Sequence, residues 1–219
     1  MSFPARLFET FGAADLPDAL FYAFPYALRF ELGAEGLGMD QPVSRFVQAF
    51  DRARAVAKAA IGQFDEVQVC FCLTGAEVEA QPKRLQHDLQ RVGFDASKLQ
   101  HLATTAVASK PPGAEDYQQE RRRWVGQPLQ GESDIDKLLW GAIAAEMPIS
   151  PSFTGRGAYL IDWKAGVVVH VYDDRGMDVI APTRETLLPL YERFNSWLLD
   201  YDRQAMDAVF GTAASPEGS

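Results

Sequence analysis

Cysteine is nearly missing from this chain, with only Cys70 and Cys72 among 219 residues. Two apart in a strand, they would point to one face and sit poorly for bridging to each other. Two free thiols fit a reducing cytoplasm. Histidine is also sparse: His87, His101 and His170 have no zinc-like spacing, and no Cys-x-x-Cys exists. No apolar run approaches the roughly 20 residues that cross a bilayer. The opening Met1-Ser2-Phe3-Pro4-Ala5-Arg6 lacks the charged segment and apolar core of an export signal, so the expectation is a cytoplasmic protein with no membrane partner. Positive charge is short as well. Lys and Arg number 21 against 30 Asp and Glu, a formal net charge of −9. That balance argues against a nucleic-acid partner, because phosphate binding needs a basic patch. The single dense basic run, Arg121-Arg122-Arg123, reads as a solvated face.

Several catalytic signatures are missing too. Gly33–Gly38 lacks the Lys-Ser/Thr ending of a phosphate loop, and Gly155-Arg156-Gly157 is too short for a dinucleotide fingerprint. Ser152 and Ser196 have no Gly-x-Ser-x-Gly context. A Cys70/His170 nucleophile pair would require their strands to be neighbours; a buried small Cys and a satisfied His is the simpler reading.

What is present is an ordinary globular composition, 47% hydrophobic and 11% aromatic. It predicts one domain over residues 1–212 and a disordered tail over 213–219. Pro4–Phe11 reads as a short helix and Tyr26–Leu32 as a half-buried strand, with Arg29 and Glu31 on its outer face. Pro42 opens a long helix to Ile61 with a buried stripe of Val43, Phe46, Val47, Phe50, Ala53, Ala57 and Ile61, and Gly62 ends it. Val67–Leu73 is apolar on both faces and reads as a central strand. Pro82–Val92 is an amphipathic helix, Leu99–Val107 a strand, and Lys110-Pro111-Pro112-Gly113 a surface loop. Tyr117–Val125 reads as an edge strand. Ser133 caps a helix running to Met147, with Asp136 completing the capping box.

The last third is the clearest. Ala158–Trp163, Val167–Tyr172 and Met177–Ala181 form three strands of an antiparallel meander, with glycine in each short connector. Leu187, Leu190, Tyr191, Phe194, Trp197 and Leu198 mark an amphipathic helix in which Pro189 is tolerable only near the first turn. Arg203–Phe210 is a final helix. The fold class is α+β: a mostly antiparallel sheet with helices packed on one face.

Charge concentrates in Tyr172-Asp173-Asp174-Arg175-Gly176-Met177-Asp178 and Asp200-Tyr201-Asp202-Arg203. Five carboxylates could assemble an oxygen-rich metal site for a hydrolase, but the turn lacks the ligand spacing and terminal glutamate of a calcium loop. The favoured reading is architectural: Asp173 and Asp174 bond turn amides, Arg175 pairs with one of them, and Asp202 caps the last helix. Trp163 beside a turn is either an exposed anchor or a lid on its hairpin.

These segments, together with Leu28-Arg29-Phe30-Glu31-Leu32-Gly33, Asp136-Lys137-Leu138-Leu139-Trp140-Gly141 and Leu190-Tyr191 through Asn195-Ser196-Trp197-Leu198-Leu199, resemble a bacterial family known only as Domain of Unknown Function 3885. The resemblance implies a fold, not a reaction or cofactor. The sequence leads to the expectation of a non-enzymatic cytoplasmic protein-binding domain, of the kind that neutralises a basic toxin or effector domain. Asp173, Asp174, Arg175, Asp178, Trp163, Asp200 and Asp202 are its candidate binding residues, and no cofactor or metal is expected. The alternative is a metal-dependent hydrolase using the same carboxylates.

Overall fold

Residues 1–33, 37, 38, 40–74, 83–106, 121–153 and 157–211 are described by a computed structural model. The Lys110–Gly113 loop, residues 34–36 of Gly33–Gly38, residues 155 and 156 of Gly155–Gly157, the ends Pro82, Val107 and Tyr117–Glu120, and the tail from residue 212 lie outside the described residues.

Among the described residues seven strands alternate side chains to two faces, and both faces are covered except at the edge strand Gln100–Ala106, which is mostly exposed. In chain order they are β1 (Ala27–Glu31), β2 (Val67–Leu73), β3 (Gln100–Ala106), β4 (Arg121–Pro128), β5 (Gly157–Asp162), β6 (Val167–Val171) and β7 (Gly176–Ile180). They form one sheet in the order β1-β7-β6-β5-β2-β4-β3, antiparallel at each pairing. The helices are α1 (Phe3–Phe11), α2 (Leu20–Ala23), α3 (Pro42–Ala60), α4 (Lys83–Val92), α5 (Glu132–Ile143), α6 (Arg184–Arg193) and α7 (Arg203–Phe210). The fold is α+β. β2 is interior, as its apolar run requires. β4, expected at an edge, lies between β2 and β3, and its Trp124 is fully buried.

One face carries Val69, Phe71, Leu160, Val169 and Val179, covered by α3 to α7. The expectation that helices pack on one face fails on the other: α1, α2 and the segment between them bring Phe3, Leu7, Leu16 and Leu20 against Cys70, Trp124, Tyr159, Ile161 and Val168. Residues 12–24 thus form a strap across that second face.

Three local expectations are also corrected. The buried stripe of α3 is Phe46, Ala49, Ala53, Val56, Ala57 and Ala60, while Val43 and Val47 face solvent. Small alanines let the helix backbone approach the sheet, which turns the two valines outward. Gly62 does not end α3 through a left-handed turn; Ile61 leaves in extended conformation, and the Gly62 N–H donates to Asp162 Oδ2 at 2.9 Å. Ser133 does not cap α5: Asp134 reaches back to accept from the Gln130 N–H at 2.9 Å, and Asp136 pairs with Arg54 of α3 through two hydrogen bonds of 2.7 and 3.0 Å. Pro189 stands inside α6, past its first turn, and costs that helix one backbone hydrogen bond.

Candidate functional site

Register lays a transverse row of polar side chains over the strap-covered face. Cys70 of β2 pairs with Tyr159 of β5, Tyr159 with His170 of β6, His170 with Asp178 of β7, and Asp178 with Arg29 of β1. Directly opposed residues share a face, so all five point toward the strap. Tyr159 stacks on His170 with ring centroids 4.0 Å apart, and Tyr172 meets His170 edge-on at 5.0 Å. Gly157 makes this possible: a Cβ there would stand 2.7 Å from the Tyr159 ring.

The strap is tied down at intervals. Asp15 accepts from Trp124 Nε1 at 2.7 Å and from Thr105 Oγ1 at 2.8 Å. Arg122 donates to the Leu16 carbonyl at 2.7 Å and to Asp18 Oδ2 at 3.0 Å. Arg122 is therefore buried, which corrects the reading of Arg121–Arg123 as a uniform solvated face.

Arg29 is the node at the far end. Its guanidinium donates to Asp178 at 2.8 and 3.2 Å and to Asp202 Oδ2 at 3.1 Å. Asp178 also accepts from the Phe21 N–H at 2.9 Å, and Asp202 from the Tyr22 hydroxyl at 3.1 Å. Burial opposes the Arg29 charge, but the Asp178 hydrogen bonds and charge outweigh it and raise its pKa. Asp202 precedes α7 without capping it by its side chain, contrary to expectation, because its carboxylate turns to Arg29 and Tyr22.

The other row members are held neutral. Burial pushes the Cys70 thiol and the Tyr159 hydroxyl up. His170 is pushed down to about 3, first by burial and then by the Arg122 and Arg29 cations. Tyr159 lies between Cys70 and His170 in the row, so β5 separates the two residues of the conceivable nucleophile pair. The Tyr159 hydroxyl and His170 Nδ1 are buried with no hydrogen-bond partner among the described residues.

The remaining expected site residues scatter. Asp173 accepts from the Arg175 N–H at 2.8 Å and from its guanidinium Nε at 2.9 Å. Asp174 does not bond the turn amides as expected; it pairs with Arg45 of α3, whose other nitrogen donates to the Leu37 carbonyl at 2.7 Å. Asp173, Asp174, Asp178 and Asp202 are buried, so as an open binding surface they are corrected; of the seven, only the Arg175 and Asp200 side chains are broadly exposed. Trp163 is no exposed anchor either: its indole N–H donates to Gln68 at 2.9 Å, Phe3 packs edge-on at 5.9 Å, and Arg6 lies over the ring. Among the described residues no group of three or more His, Cys, Asp or Glu side chains could hold a metal ion.

Sequence reasoning missed Arg29 as the node and the strap residues Asp15 and Asp18. The signal was present in Leu16, Leu20, Phe21 and Phe24, apolar residues ahead of β1 that needed a surface to cover.

The model of the family described as a domain of unknown function (DUF3885) matches residues 3–202. Over 96 residues the chain is 29% identical to an uncharacterized protein, YnaE of Bacillus subtilis (strain 168), a match covering 40% of this chain and 43% of that relative. No solved structure matches. With the matched span running from α1 to the buried carboxylate of Asp202, the chain belongs to the DUF3885 family.

Proposed function

We propose that this protein is a non-enzymatic protein-binding domain of the cytoplasm that captures a basic partner, of the kind represented by a bacterial toxin or effector domain. The observation that supports this most directly is where the charge goes. Asp174, Asp178 and Asp202 are held by the largely buried Arg45 and Arg29, Asp173 is held by the exposed Arg175 of its own turn, and the Cys70–Tyr159–His170 row is neutral beneath the strap. A metal-dependent reaction at Asp178 and Asp202 would have to displace Arg29 from both. The excess of negative charge, −9 over the chain, favours capture of a cationic surface through faster encounter.

The test is surface plasmon resonance against the product of the neighbouring gene at several ionic strengths. Association should slow as salt rises, with a smaller change in dissociation. Absence of binding at micromolar concentration, with turnover of a phosphodiester or peptide substrate by the pure protein, would overturn the reading.

A further inference from the structure

Helix α3 carries two apolar side chains that the core does not use. Val43 is 72% exposed and Val47 51%. Single exposed valines are unremarkable, but these stand four residues apart on one helical row, with Asp51 next in line. They form one wall of a groove of about 600 Å³ whose other wall is Trp197. Trp197 is held in place, stacked on Phe194 at 5.1 Å with the Arg52 guanidinium 5.5 Å from its centroid. A wall fixed before binding reduces the ordering cost of association.

The charges in the groove decide what it would accept. Arg52 turns inward and donates to the Glu31 carbonyl at 3.0 Å, and burial lowers its pKa. Arg54, two residues on, is committed to Asp136. Asp51 is exposed and makes no ion pair among the described residues. The available charge is therefore negative, beside an apolar strip. We infer that this groove seats a cationic amphipathic segment of the basic partner, an inference that rests on the protein-binding reading above. An aliphatic or aromatic anchor would enter between Val47 and Trp197, and a Lys or Arg about one turn away would meet Asp51.

Two variants test it on the full chain against the neighbouring gene product: Val43→Gln with Val47→Gln, and Asp51→Lys. All three positions are exposed, so the thermal midpoints should stay at the wild-type value. The double valine variant should weaken binding at least about thirtyfold. Asp51→Lys should slow association at low salt at least about tenfold. Tyr201→Ala, exposed elsewhere, should change binding less than about threefold. Retained binding by both groove variants overturns the groove and leaves the protein-binding reading intact. A wild-type dimer in sedimentation that the double valine variant dissociates overturns the partner in favour of a second copy. If the wild type binds no neighbouring product, the functional reading fails, and selection of displayed helical peptides on the chain decides the groove. Cationic amphipathic binders lost in the double valine variant support it, and acidic binders or none overturn it.

Discussion

On one face of the sheet Val69, Phe71, Leu160, Val169 and Val179 meet the large helices through carbon alone. On the other face of the same strands, Cys70, Tyr159, His170, Asp178 and Arg29 lie in a row beneath a strap. The first face gains stability from area and tight packing, which are non-directional. The second depends on register: a one-residue slip would send Arg29 and Asp178 to the apolar face and break their pairing. Burial is similar on both sides, but it is reached by different means, and the two faces should fail differently under mutation and acid.

The largest effects compare the faces directly. Arg29→Met leaves Asp178 and Asp202 buried without their cation and should cost about 3–5 kcal/mol. Phe71→Ala should lose a similar amount, about 3–5 kcal/mol, through transfer and cavity terms. The difference lies in rescue: Asp178→Asn should recover part of the Arg29→Met loss by removing a buried charge, but should deepen the Phe71→Ala loss, because there it unpairs an intact Arg29. Urea unfolding of the four variants reads this out, and a loss below about 1 kcal/mol for Arg29→Met would make the network incidental.

Acid comes next in size. His170 titrates near 3 in the fold against an ordinary 6.5. As pH falls below about 6.5 the unfolded chain takes up a proton that the folded chain refuses until about 3. Stability therefore declines across that window, by up to about 1.4 kcal/mol per pH unit. Unfolding midpoints between pH 6.5 and 5, above the carboxylate range, should slope downward in wild type and flatten in His170→Gln. An equal slope in both would show that His170 can charge within the fold.

The smallest effect sharpens the point about direction. The Tyr159 hydroxyl has no partner among the described residues, so Tyr159→Phe should be neutral or stabilising within about 1 kcal/mol. A loss above about 2 kcal/mol would reveal a hydrogen bond at that oxygen, such as one carried by an ordered water.

Sequence alone determined the repeating local structure and the family. The boundaries of α7 stand at Arg203–Phe210 as its spacing indicates, β2 is interior because both its faces are apolar, and Asp173 holds Arg175 within one tight turn. These are short-range matters, settled by periodicity and by side chains two to four residues apart. What only the tertiary structure decided is what covers each element. Arg29 alternates in β1 as a solvent-facing charge would, yet the strap closes over it and Asp178 and Asp202, 149 and 173 residues away, neutralise it. Val43 fits a buried stripe by spacing, yet the close seating of alanines turns it to solvent. Periodicity reports which side of an element is apolar; a buried paired charge and an exposed one look alike until the long-range partner is in place.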